Sequence, residues 1–214
     1  MFFNFFLFSL IVFAGFGNVA VHFFKNILGQ FALENPVAIE VSSWPVWAQL
    51  LALFVLKDFI EWCIHRLLRA SPRLWEFRKV HHSVKEVGFA AHLRFHWMET
   101  VIYKGLSNIP LAMIGFGIDD FFAVHLIAIA IGHWNHASFR VNIGPLAYIL
   151  NNPNMHMWHH AAQLPSGRPR GVNFGLSLSV WDYLFGTAYL PNSGQNTEIG
   201  FAGDGAFPQA FGVR

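Results

Sequence analysis

The stretch NPNMHMWHHA, residues 152–161, holds His156, His159 and His160 within five positions. Residues three and four apart share one face of a helix, so a single turn presents a cluster of imidazoles. The segment RKVHH, residues 78–82, repeats the doublet with His81 and His82, while His65 and His133 stand near the ends of apolar stretches. Neutral imidazole is a borderline nitrogen donor that suits iron, zinc, copper and nickel. An all-nitrogen shell assembled from several helices could hold two metal ions. A solitary histidine such as His22 or His125 reads more simply as a packing or hydrogen-bonding residue. The repeated doublet is what points to metal chemistry.

Such a shell needs elements that bring distant positions together. Four apolar segments stand out, 2–24, 45–65, 97–117 and 120–138, each near the roughly 20 residues that cross a hydrocarbon core. The first lacks a basic leader and is longer than the apolar part of a signal peptide, so it reads as a retained membrane helix. The second begins at SSWPVW, with Ser43 as the expected N-cap and Pro45 in the first turn. The third carries Lys104 and Pro110, and GFGID breaks it from the fourth, which predicts a tight hairpin. Arg66, Arg69, Arg73, Arg78, Lys79, Lys85 and Arg94 lie between the second and third segments. Arg140, Arg168, Arg170 and Arg214 follow the fourth. By the positive-inside tendency, residues 66–96 and 139–214 are expected on the cytoplasmic side. The expected fold is an all-α integral membrane protein with about four hydrophobic helices in two hairpins. A cytoplasmic helical cap carries the histidines. The expected division is an N-terminal helix and loop (1–44), a catalytic domain (45–190) and a loosely ordered tail (191–214).

Composition narrows the function. Hydrophobic residues make up 54% of the 214 positions and charged residues 12%, with 24 phenylalanines. Such a chain cannot cover its apolar surface with polar groups, so part of the exterior is expected to face membrane lipid. The net charge of +2, with no basic run, excludes nucleic acid as a natural partner. Cys63 is the only cysteine, so no intrachain disulfide can form. Trp75, Trp97, Trp134, Trp158 and Trp181 suit a membrane interface. No Gly-rich phosphate loop competes for the chemistry.

The segments DFIEWCIHR (58–66), LWEFRKVHHS (74–83), LRFHWME (93–99), HWN (133–135), GPLAYILNNPNMHMWHH (144–160) and NFGLSLSVWDYLFGT (173–187) resemble the fatty acid hydroxylase/sterol desaturase superfamily, in order and in spacing. That resemblance implies a membrane-bound di-iron oxygenase that uses O₂ to hydroxylate or desaturate a lipid-like substrate, fatty acyl, sterol or related. It implies His65, His81, His82, His133, His156, His159 and His160 as metal ligands. His96 aligns with a histidine common in the family. It also matches Asp58, Asn135 and Asp182 to polar positions, and the expectation is that they orient imidazoles by hydrogen bonds. No haem, flavin or iron–sulfur motif is present, so electrons are expected from an external donor such as a cytochrome-b5-like or ferredoxin-type protein. Lys79, Lys85, Arg168 and Arg170 could attract it, or could serve membrane orientation and anionic lipid headgroups instead.

Two positions depart from the pattern. The first box reads HRLLR, with Arg69 at its second histidine, and the second reads RKVHH, with Arg78 at its first. Arginine stays protonated and has no lone pair to give a metal. His92 and His136 are candidate substitutes. The other outcomes are a single ion, or a degenerate relative that binds a lipid or partner without catalysis. A bis-histidine haem protein for electron transfer is the remaining alternative, and it would need histidines such as His125 inside the helices.

Overall fold

The computed structural model describes residues 39–139, 141–194 and 196–206, with 22, 26–27 and 29–31 near the N-terminus. Its α-helices are α1 (Val46–Ala70), α2 (Pro72–His82), α3 (Trp97–Ile114), α4 (Ile118–Asn135), α5 (Pro153–His159) and α6 (Val180–Leu184). Among the described residues there is no named strand. Two isolated antiparallel bridges, Leu150 to Leu178 and Ala161 to Ile199, pin the loops.

α1 is the central element, touching α2, α3 and α4. Its buried positions Leu53, Lys57, Asp58, Glu61, Trp62, Ile64, His65 and Leu68 recur at helical spacing. The apolar end packs Leu53 with Val41, Leu111, Phe116, Phe121 and Val124. The other end of α1 carries polar groups into the interior, and there the histidines gather. Helix α1 stops at Ser71, whose hydroxyl accepts from the Leu74 amide and caps α2, with Pro72 in its first turn.

Among the described residues no helix is long and apolar enough to cross a membrane. This overturns the expected bundle of spanning helices, although the all-helical class stands. Helix α1 is long enough, but Lys57, Asp58, Glu61, Arg66 and Arg69 interrupt it. Helix α3 is broken chemically by Glu99, Lys104, Asn108 and Pro110. Helix α4 opens on Asp119 and Asp120 and closes on His133 and Asn135, and its 18 residues rise only about 27 Å. The first expected span, 2–24, lies outside the described residues apart from His22.

Two smaller expectations also change. The cap of α1 is Pro45, and Ser43 lies in a preceding 3-10 turn where its hydroxyl donates to the Glu40 carbonyl. Helices α3 and α4 both pack on α1 rather than forming a closely paired hairpin. Their connection bends at Gly115, where φ is +126° and a Cβ would come within 2.5 Å of the Ile39 carbonyl oxygen. In the tail, Gly200 donates to the His160 carbonyl and Ala162 to that of Glu198, and Ile199 and Phe201 are buried.

Two carboxylates tie the loop after α5 to α1. Asp58 accepts from the Ser177 and Leu178 amides and from Trp181 Nε1. Asp182 accepts from the Phe174 and Gly175 amides, Trp62 Nε1 and the Thr187 hydroxyl. Removing Asp182 strands four buried donors, each costing about 1–3 kcal/mol. Asp182→Ala should therefore lower stability in urea unfolding by about 3 kcal/mol or more. Lys85→Ala, at an exposed pair with Asp204, should change it by less than about 0.5 kcal/mol.

Candidate metal centre

Neighbouring residues on a helix point about 100° apart, so each doublet serves two places. His81 joins His136, His156 and His160, and His82 joins His65 and His159; within each set the ligand nitrogens lie within 4.8 Å of one another. His156 and His160, four apart, share the first set as helical spacing requires. All seven side chains are buried. Helix α5 is set in place by Asn152, whose side chain accepts from the Met155 amide, with Pro153 in the first turn.

Four of the seven rings are aimed by backbone carbonyls. His81 Nδ1 donates to Arg94 O (3.3 Å) and His136 Nδ1 to Gly132 O (2.8 Å). Both Nε2 lone pairs therefore turn inward. In the four-histidine set, Nε2 atoms stand 3.4 Å (His136–His81), 3.0 Å (His156–His136) and 3.2 Å (His160–His156) apart. In the three-histidine set, His65 Nδ1 donates to Phe174 O (2.8 Å) and His159 Nδ1 to Val172 O (2.9 Å). Both ring nitrogens of His82 and Nε2 of His159 lack hydrogen-bond partners.

Four facing nitrogens repel unless a cation or proton sits between them. Metal–imidazole bonds of about 2.0–2.1 Å space ligand atoms at about 3.0–3.4 Å, which is the spacing of the three successive Nε2 pairs here. The four-histidine set fits a metal such as iron. The three-histidine set carries an extra feature: Arg78 Nη2 donates to His65 Nε2 at 2.6 Å, and Arg78 Nη1 to Glu99 Oε1 at 2.5 Å. Arg69 lies with its guanidinium 4.0 Å from the centre of the Trp75 ring, which in turn packs on His82.

The remaining histidines take other posts. His133, expected as a ligand, is in neither set; it stacks on Phe89 (3.8 Å) and meets His92. His136, three residues on at the end of α4, supplies the nitrogen. His92 packs over Gly132, where a Cβ would come within 2.2 Å of its ring, and touches His136. His96 caps α3, its Nδ1 accepting from the Met98 amide at 3.1 Å. Asp58 and Asp182 contact no imidazole directly, contrary to expectation. They hold the loop backbone whose Phe174 carbonyl aims His65. Asn135 likewise donates to Leu176 O (2.6 Å) rather than to a ring. Glu99 was not anticipated as a site residue, nor was Asn173, which adopts φ +54° and donates to the Met155 and Tyr189 carbonyls. His125 lies 3.4 Å from Lys104 Nζ.

The sequence pattern of fatty acid hydroxylases matches residues 50–187. The chain belongs to the fatty acid hydroxylase family. It is 32% identical over 176 residues to an ornithine lipid hydroxylase of Rhizobium tropici, covering 82% of this chain and 52% of that protein. It is 29% identical over 155 residues to an alkylglycerol monooxygenase of Homo sapiens (71% and 32%). A very-long-chain aldehyde decarbonylase of Oryza sativa subsp. japonica is 30% identical over 146 residues (65% and 46%). The chain thus spans about half the length of the first relative and about a third of the second. No solved structure matches it.

In this fatty acid hydroxylase family member a cavity of about 140 Å³ opens beside the four-histidine set. His81, His136 and His156 line it together with Phe95, Ile129 and Leu176. The buried ion pair Lys57–Glu61 also reaches it.

Burial holds His81, His82, His156, His159 and His160 well below the ordinary imidazole pKa, with Arg78, Arg69 and neighbouring histidines adding to the effect. For the same reason His136 falls to about 4. The unfolded chain therefore binds protons more readily than the folded one below about pH 6.5, the ordinary histidine pKa. Stability is fully present above that pH and drains as it falls, by about 1.4 kcal/mol per pH unit for each proton taken up. Chelator-treated protein should lose stability between pH 6.5 and 5 with a slope of more than one proton, measured by urea unfolding. A flat profile would show that the rings are not buried neutral.

Proposed function

We propose that this chain is a metal-dependent, O₂-using oxygenase that modifies a lipid-like molecule. The observation that carries the reading is the convergence of four neutral imidazole nitrogens beside a largely apolar cavity. The names of the relatives, hydroxylases and monooxygenases of lipids, support the same class.

His81, His136, His156 and His160 would hold iron. When bound, the metal supplies activation of O₂ for attack on an unactivated C–H bond. The chain's own part is to keep the imidazoles deprotonated and aimed, through the Arg94 and Gly132 carbonyls. Phe95, Ile129 and Leu176 give an alkyl chain a dry surface against which to lie. Hydroxylation and desaturation both start from such a pose.

Electrons come from outside the chain in this reading, from a cytochrome-b5-like or ferredoxin-type donor. Arg170 and Arg168 are the basic residues best suited to meet it, because Lys79 and Lys85 already pair with Glu76 and Asp204. Contact with lipid is part of the reading too. Large apolar side chains such as Trp47, Val46, Leu184 and Phe89 are about two-thirds exposed, a surface that membrane lipid would cover.

Iron-loaded protein supplied with reductant should consume O₂ only when a lipid is present, and ¹⁸O₂ should label the product if it is an alcohol. His156→Ala should reduce lipid-dependent O₂ uptake by at least about 100-fold. Uptake that is unchanged in His156→Ala, or that is independent of lipid, would contradict the reading.

A further inference from the structure

We infer that the protein holds one metal ion, in the His81/His136/His156/His160 set, and that the Arg78 guanidinium takes the place of a second ion beside His65. The inference rests on the proposed function and sharpens it.

The two nitrogen sets are unlike. In the four-histidine set the inward nitrogens face only one another, at 3.0–3.4 Å. In the three-histidine set the inward lone pair of His65 is already engaged, because Nδ1 donates to Phe174 O and Nε2 accepts from Arg78 at 2.6 Å. A guanidinium is permanently charged and cannot ligate. It occupies the direction a metal would need, and it would repel a dication at close range. Arg69 adds a second, half-buried positive charge; burial lowers its pKa only to about 10, so it stays protonated at neutral pH.

The cation is built in rather than adventitious. Arg78 is 2% exposed and Glu99 is fully buried. Their 2.5 Å contact supplies the counter-charge that a buried guanidinium requires. Glu99 is thus a positioning residue that fixes the fork of Arg78 on His65. With His65 engaged by Arg78, only His82 and His159 of this set keep an unengaged inward nitrogen, fewer than the three or four ligands a protein metal site supplies.

Iron content after anaerobic loading of the folded full chain with Fe²⁺, followed by gel filtration, tests this directly. The wild type should carry one iron per chain, and His136→Ala should lose most of it. His65→Gln should keep its iron. Arg78→His combined with Glu99→Gln restores a fourth imidazole and removes the charge pair, and should bind two. Circular dichroism checks that each variant is folded, and the wild-type stoichiometry needs no variant at all. Two ions in the wild type, loss of iron in folded His65→Gln, or no gain in the folded double variant would overturn the inference while leaving the oxygenase reading intact. No iron in folded wild type would overturn both.

Discussion

The structure depends on keeping neutral imidazoles dry and pointed at one another. Water would satisfy their nitrogens singly; here seven buried rings face inward instead, and in His65, His81, His136 and His159 a backbone carbonyl chooses which nitrogen carries the proton. Neutral rings cost far less to bury than charged ones, which is why the centre tolerates so many together. The price appears as opposed lone pairs, and a cation placed among them removes it.

The scaffold follows from that constraint. Helix α1 delivers His65 from its polar end, α2 delivers His81 and His82 from its last turn, and the end of α4 brings His136. The short α5 and its C-cap His160 contribute three rings because Asn152 and Pro153 start the helix abruptly. Asp58 and Asp182 do not touch the centre, yet they hold the loop that carries the Phe174 carbonyl. Their effect on His65 is therefore transmitted through the backbone. The two departures from the histidine pattern are accommodated differently: Arg69 lies over Trp75, whereas Arg78 enters the centre with Glu99 as its counter-ion.

Much of this was legible in the sequence, because histidine doublets at helical spacing have few other uses. His65, His81, His82, His156, His159 and His160 were anticipated from spacing and resemblance, and all six fall within the two nitrogen sets. The choice between His133 and His136 was not legible. It turns on where α4 ends, and helix ends are poorly fixed by sequence. The pairing of Arg78 with Glu99 joins residues 21 apart through packing alone, so no local pattern announces it. The membrane-spanning expectation failed for a related reason. Hydropathy marked apolar stretches but could not show that Lys57, Asp58 and Glu61 of α1 are buried in the bundle.

Iron-edge anomalous diffraction from crystals of the iron-loaded protein is the most direct test of the central claim, that ring nitrogens from separate helices converge on a metal. The account predicts an anomalous peak bounded by Nε2 of His81, His136, His156 and His160. A peak elsewhere, or four rings that remain hydrogen-bonded to one another with iron bound at the surface, would contradict it.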